Sequence, residues 1–399
     1  GGKFYGMTEQ GGPTNSGVIF EWDPATNIYT KKIVFSNNAG RNPKGNLTAY
    51  NGKLYGMTEN GGSNADGVIF EWDPATNNYL KKIDFDNNIG KNPTGSLTLS
   101  GNKFYGMTRS GGNNDKGVIF EWDPATNIYT KKIDLNDSRG TCPYGNLIPS
   151  GGLYYGMTSS GGANDNGVIF QWNPTSNDFI KKIDLDNMTV GSPYGNLTAN
   201  DGKFYGLSNS GGANNRGVIF EWDPVANAIT TKIDLSDSEG SKAYGTMTVK
   251  DGKFYGMTSS GGSNDAGVIF QWDPTNNVYD KKISFNNTHG QNPGGNLVMS
   301  DGRIYGMSAG GGDYGKGVIF EFNGFSSVLT KKKDFNSPDG NTPFGSMTLH
   351  NGKLYGMAEG GANGYGVIFE MDAAAGTYSK KIDLNGNDGS SPQSSLTYY

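Results

Sequence analysis

The stretch GVIFEWDPATN occupies Gly17–Asn27, and near copies of it begin at Gly67 and Gly117. It gathers β-branched and aromatic residues into one short run and then breaks at Asp-Pro, the composition of a strand followed by a reversal. Ahead of each copy stands a second phrase, YGM or a close variant. Its tyrosine recurs at Tyr5, Tyr55, Tyr105, Tyr155, Tyr205, Tyr255, Tyr305 and Tyr355, a constant period of fifty residues. Self-similarity at a fixed period of this size marks a repeat architecture. The last copy is one residue shorter, in the loop GGANGYG (Gly360–Gly366). Length alone would suggest two or three domains. No linker, charge block or composition shift interrupts the series, so residues 1–399 read as a single domain of eight repeats.

Each repeat resolves into four short strands. GKFYGMT (Gly2–Thr8), GVIFEWD (Gly17–Asp23) and IYTKKIVF (Ile28–Phe35) are rich in strand formers, and GNLTAY (Gly45–Tyr50) is a weaker fourth. Asn51-Gly52, Asp201-Gly202, Asp251-Gly252 and Asn351-Gly352 suit two-residue hairpin turns, in which both residues take positive φ. No segment carries a helical period. Four antiparallel strands, repeated eight times, predict an all-β, eight-bladed β-propeller.

The order of strands within a blade also follows. Paired lysines (Lys31-Lys32, Lys81-Lys82, Lys131-Lys132) deter edge-to-edge association and mark the outermost strand. The glycine-flanked GNLTAY then lies innermost, where blades crowd the axis. The closing SSLTYY (Ser394–Tyr399) is expected to supply the innermost strand of the first blade and seal the ring. Trp22, Trp72, Trp122, Trp172, Trp222 and Trp272 should fill the gaps between blades, with Phe322 and Met371 in the last two copies.

Composition excludes several classes. The 64 glycines sit at fixed places in each repeat as turn punctuation, without the period of collagen. A net charge of −5 is mild for this length and argues against a nucleic-acid surface. No apolar run approaches a membrane span. No signal-peptide pattern opens the chain, which also suits an exported protein whose signal has been removed. Cys142 stands alone, so neither a disulfide framework nor a cysteine metal cluster is available, and it reads as a small turn residue beside Pro143. A monomeric ring is expected.

LYGMTENGGSNADGVIFEWDP (Leu54–Pro74) resembles the LYG-T-x-x-GG-x-x-x-x-G-x-x-F phrase of the GloVer tandem repeats, found in exported bacterial proteins with varied cell-surface anchors. DPATN with the double glycine upstream is also similar to kelch blades. The copies depart from the GloVer phrase in the methionine of YGMT and in the longer DPATN turn. The resemblance implies a propeller with an extracellular or cell-surface location. It carries no catalytic residues.

Function must lie where the copies differ. Strands alternate up and down, so the second-to-third and fourth-to-first connections share one face, which has the longer and more variable loops. The residue just before the innermost strand is Tyr144, Tyr194, Tyr244 and Phe344 in four copies, and Lys44, Thr94, Gly294 and Gln393 in the others. Flat rings with a polar tip suit stacking on sugars, and aromatics plugging the channel are the alternative. The residue after MT or MA is Glu9, Glu59 and Glu359 in repeats that ring closure makes neighbours, with Arg109 next in the series. Clustered carboxylates can serve as acid and base for glycoside cleavage, bind a cation, or simply be solvated.

DFDNNIG (Asp84–Gly90) and DLNGNDG (Asp383–Gly389) make Asp84, Asp86, Asp383 and Asn385 candidates for calcium. The glycine comes one place late for a calcium loop, no bidentate glutamate follows, and Asp and Asn also form ordinary turns. His289 and His350 are the only histidines and fall on opposite faces, each reading as a solvated side chain. No histidine metal site or Ser–His pair can be assembled from them. No phosphate-cradling loop is present. The sequence therefore points to a non-catalytic binding propeller for a glycan or another surface ligand. A carbohydrate-active enzyme using the rim carboxylates is the rival, and an architectural module of a larger surface protein is the third reading.

Overall fold

In the run Val18–Asp23, Val18, Ile19, Phe20 and Trp22 are all fully buried, so both faces of the strand are apolar. Such a strand needs a neighbour on each edge and a packed layer on each face. A computed structural model of the chain, which describes residues 2–324 and 327–399, supplies both. Val18–Asp23 pairs with Phe4–Thr8 on one edge and Ile28–Val34 on the other. The described residues form eight four-stranded antiparallel sheets and no helix, and none is long and apolar enough to cross a membrane as a helix. Blades are numbered here by their tyrosine, Tyr5 in blade one to Tyr355 in blade eight. From the axis outward, blade two runs Thr48–Tyr50, Lys53–Thr58, Val68–Asp73 and Asn78–Asp84. Blade one takes its innermost strand, Thr397–Tyr398, from the far end of the chain, pairing it with Phe4 and Tyr5. The ring is closed as expected.

The innermost strand is shorter than the sequence suggests. GNLTAY pairs within its own sheet only over Thr48–Tyr50. The residues before it bond sideways instead. The Asn46 amide donates to Ser96 Oγ at 2.9 Å and the Ser96 amide to Asn146 Oδ1 at 2.8 Å. The same bond passes through Asn196, Thr246, Asn296, Ser346 and Ser395, whose amide returns to Asn46 Oδ1 at 2.9 Å. The backbone N–H at this position, which the sheet leaves unpaired, is thus met in every blade by a side chain one repeat onward. Below this belt runs a second, incomplete one. The hydroxyls of Thr48, Thr98, Thr198, Thr248, Thr348 and Thr397 donate to carbonyls of the next blade, and Ile148 and Val298 interrupt it. Glycine precedes the belt because blades nearly touch there: a Cβ on Gly45 would lie 2.4 Å from the Gly95 oxygen.

The core lies between blades. Trp72 packs with Tyr5 and Met7 of blade one, and Trp22 packs with Tyr355 and Met357 of blade eight beside Leu396. Phe322 and Met371 fill the same place in the last two blades. An indole buried this deeply needs a partner for its N–H. The DPATN turn provides it: Trp22, Trp72, Trp122, Trp172 and Trp272 donate to the asparagine five residues on, at 3.1–3.2 Å. Trp222 Nε1 has no partner among the described residues.

The paired lysines divide their work. Lys81 pairs with Asp84 at 2.6 Å on the edge strand, whereas Lys82 turns inward to Glu71, which Lys53 also meets at 2.6 Å. Burial opposes ionisation of the equivalent Glu21, but Lys3 and Lys32 outweigh it and hold the carboxyl below its usual range. Where the inner strand carries this glutamate, as in blades one, two, three and eight, only the first lysine of the pair is left to guard the edge.

Deleting Ser394–Tyr399 removes the fourth strand of blade one, one bond on each side of the belt and the Leu396 contact. The truncated chain is expected to melt lower and to bind a hydrophobic dye, and an unchanged melt would mean that closure contributes nothing. A finer comparison isolates the indole bond. Asn77→Ala orphans the buried Trp72 N–H and should cost about 1–3 kcal/mol in denaturant unfolding. Asn227→Ala, beside the already unpaired Trp222, should cost less.

Candidate functional site

Residue 42 and its images carry the chain into the channel. Asn42, Asn92, Cys142, Ser192, Lys242, Asn292, Thr342 and Ser391 all take positive φ, which reverses the chain just before the mouth. Cys142 belongs to this series, with φ 53° and partial burial. Two residues further on, the variable side chain reaches the axis. It is anchored from below, because the residue two places later is a member of the hydrogen-bonded belt.

These side chains surround a cavity of about 350 Å³ at the axis on the long-loop face, lined among others by Lys44, Thr94, Tyr144, Tyr194, Tyr244 and Phe344. The three tyrosine rings follow one another around the wall, with centroids 5.3 Å apart for Tyr144–Tyr194 and 5.7 Å for Tyr194–Tyr244. Tyr194 is 37% exposed, Tyr244 52% and Phe344 46%, so these rings open to solvent and leave the cavity unfilled. The Arg109 guanidinium lies over the Tyr144 ring at 5.2 Å, close enough for a cation–π contact.

The acidic series lies on the opposite arc, since blade one stands four blades from blade five. Glu9, Glu59 and Glu359 belong to blades one, two and eight. Lys44 Nζ stands between two of them, 3.5 Å from Glu9 and 3.4 Å from Glu59, whose side chains are only 14% and 18% exposed. Burial disfavours the charge on Lys44, but Glu59 and Glu9 more than compensate and hold its pKa above the usual lysine range. Burial first, and then the charge of Glu9, push the Glu359 carboxyl above its usual range. The three carboxylates thus sit behind the wall, with Lys44 as the group that reaches the cavity. Sequence reasoning missed this lysine's role, because it saw only a residue outside the aromatic run. It also missed Thr94 Oγ1 and Asn209 Nδ2, buried polar atoms without hydrogen-bond partners among the described residues. Asn209 occupies the Glu9 slot of blade five, a signal that the repeat alignment does carry.

The remaining candidates scatter. Asp84 accepts the Ser63 amide at 2.8 Å and meets Lys81, and Asp86 accepts the amides of Asn88 and Ile89 at 2.7 and 2.9 Å. Asp383 accepts the Ala362 amide at 2.8 Å and meets Lys380, and Asn385 accepts the Asp388 amide at 2.9 Å. These oxygens cap turns and edge lysines. Among the described residues no group of three or more His, Cys, Asp or Glu is placed to hold a metal ion. His289 is exposed, with Nδ1 3.0 Å from Asn286 Oδ1. His350 departs from the solvated reading: it stacks on Tyr398 of the closing strand, with centroids 3.5 Å apart and planes at 25°.

The Gloeobacter/Verrucomicrobia repeat model matches residues 1–107, 84–241 and 224–399. No curated protein matches the chain. Among solved structures it is similar to a prolyl endopeptidase at 9% identity and TM-score 0.53, covering 84% of this chain and 48% of that one. It is similar to a puromycin hydrolase at 9% identity and TM-score 0.51, covering 84% and 52%. A candidate 6-phosphogluconolactonase from Bacteroides fragilis matches at 15% identity and TM-score 0.50, covering 88% and 98%. The chain spans about half the length of the two hydrolases. At these identities the likeness is one of fold.

The raised pKa of Glu359 has a sign that can be measured. Its protonated form is favoured by folding, so this contribution is full below the ordinary glutamate pKa and is lost as pH rises through the folded value. Glu359→Gln should therefore melt higher than the parent at neutral pH, with the gap closing as pH falls toward the ordinary glutamate range. A gap that stays constant with pH would show that Glu359 carries no such penalty.

Proposed function

The chain belongs to the Gloeobacter/Verrucomicrobia repeat family, and from that premise we propose that it is a non-catalytic binding propeller, exported to the cell surface or beyond, whose channel mouth takes a glycan. The observation that carries the reading is the arc of Tyr144, Tyr194 and Tyr244, rings at successive positions around the wall of one open cavity, the last two of them exposed. Sugar rings offer apolar faces to such rings and hydroxyls to their phenolic tips. The belt below holds the backbone of this arc, so little ordering would be lost on binding. Eight identical blades would present eight equal weak sites. Here one arc is aromatic, and the arc opposite is lined by Lys44 backed by carboxylates.

The rival reading, a carbohydrate-active enzyme, draws support from one feature: a carboxyl with raised pKa, Glu359, beside the charge of Glu9. Against it, Glu9 and Glu59 share the ammonium of Lys44 behind the cavity wall.

A glycan array followed by calorimetry on the best binder tests both. Tyr194→Ala, at the centre of the arc, should weaken binding several-fold, in line with roughly 0.5–1.5 kcal/mol per stacked ring beyond buried area. Gln393→Ala, an exposed residue in the same slot of blade one, should do little. Equal effects from both changes would remove the arc as a site, and failure to bind any glycan would favour an architectural module. Release of reducing ends that vanishes in Glu359→Gln would promote the enzyme.

A further inference from the structure

The slot just before the innermost strand holds a side chain in every blade but the seventh, where it is Gly294. Blade seven also holds the backbone of that slot differently. Its innermost strand, Gln291–Ser300, runs back through the slot and pairs Pro293 with Ser308 and Gly294 with Met307 on Arg303–Gly310. The other innermost strands begin only after the slot, as Thr48–Tyr50 and Thr348–His350 do. A missing side chain and a backbone laid along its own sheet together open a gap between Tyr244 and Phe344. The gap uncovers blade six. Met257 and Ser259 line the cavity there, and among the described residues no other blade exposes the matching positions to it.

Ser159 supplies the comparison, because it is the same residue in the matching position of blade four. Its hydroxyl donates to the Cys142 carbonyl at 3.0 Å, as that of Ser259 does to the Lys242 carbonyl at 2.9 Å. Ser159 falls between the slots of Tyr144 and Tyr194 and is 5% exposed, off the cavity wall. Ser259 falls between Tyr244 and Gly294, is only half-buried and lines the cavity. The recess has a definite chemistry. Its flanks are the two most exposed rings of the mouth. Its base pairs the thioether of Met257 with a hydroxyl oxygen whose proton is committed and whose lone pairs can still accept. On the same wall, Asn296 accepts the Thr246 amide on Oδ1 at 3.1 Å, which leaves Nδ2 to donate.

We propose that this recess is a subsite for an acetamido group, so that the glycan taken at the mouth is one that contains N-acetylhexosamine. The inference rests on the glycan reading above and narrows its ligand class. A secondary amide bearing a methyl matches the recess in full. Its N–H would meet Ser259 Oγ, its carbonyl would take a proton from Asn296, and its methyl would cover Met257. A hydroxyl in that place supplies no methyl, and an ammonium brings a charge to an apolar base. Tyr244 ends the aromatic arc beside the gap, so a sugar stacked on it can direct a substituent inward.

Calorimetry of the full chain tests this with matched oligosaccharides, in gluco and galacto series whose members differ only in carrying acetamido, free amino or hydroxyl. In at least one series the acetamido member should bind about ten-fold tighter than its hydroxyl counterpart, the worth of one methyl and one hydrogen bond. Gly294→Gln fills the gap and should remove that preference. The site has room for it, since a Cβ on Gly294 meets no atom nearer than 3.9 Å. Ser259→Ala removes the acceptor and should shrink the preference several-fold, and it keeps the test decisive if the first variant folds poorly. Ser159→Ala breaks the same bond away from the cavity and should leave the preference as it is. Equal binding across both series, or a preference indifferent to both Gly294→Gln and Ser259→Ala, would overturn the subsite and leave the glycan reading standing. Binding of no member would overturn the subsite as well, and the glycan array then decides the broader reading separately.

Discussion

A blade of this protein has two apolar faces and a partner of its own for neither. That constraint governs the rest. Each buried cluster joins side chains of two adjacent blades, as Tyr5 and Met7 of one join Trp72 of the next. The cluster at the seam is complete only when Leu396 arrives from the last repeat. Stability in such a chain is a property of interfaces more than of units. Polar bonds reinforce the same joints. The hydroxyls of Tyr129, Tyr279 and Tyr378 each reach a carbonyl in the preceding blade's loop at 2.6 Å. Blades four, five and seven put Phe179, Ile229 and Leu329 in that place and do without the bond.

The joints also determine what the mouth can be. Tyr144 and Tyr194 stand two residues before Asn146 and Asn196, and those asparagines are linked to each other through the belt at 2.7 Å. The aromatic arc is therefore tied to the hydrogen-bonded belt and does not hang on a free loop. The opposite arc owes its composition to closure: Glu359 and Glu9 belong to the last and first repeats, and only the completed ring sets them side by side.

The architecture was legible in the sequence because its signals are local and repeated. A period of fifty, strand-forming runs and positive-φ turns each recur often enough to override the weak innermost phrase. The strand order followed from lysine and glycine placement. What escaped notice was a set of polar and ring partners that lie on another strand or in another blade. Lys32 reads as an edge residue until Glu21 is found beside it. Lys44 reads as a gap in an aromatic run until Glu9 and Glu59 flank it. His350 reads as a surface residue until the chain returns to place Tyr398 against it. The candidate slots at the mouth could be listed from the repeat alignment, but their exposure and their partners depend on contacts between distant parts of the chain.

The belt around the axis bears on how such a ring changes size. Each of its bonds runs from one position to the image of that position a repeat later, so every repeat brings one donor and one acceptor. Duplicating a gene segment of one repeat inserts both together, and deleting one removes both together, at any point in the series. Neither event leaves a polar group unmatched at the axis. The limit is steric instead: with eight repeats a Cβ at Gly45 already falls 2.4 Å from its neighbour's oxygen. Loss of a repeat draws the strands closer to an axis that is already crowded, whereas a gain spreads them apart. Growth by duplication is the easier direction, and extra copies are free to diverge at the mouth.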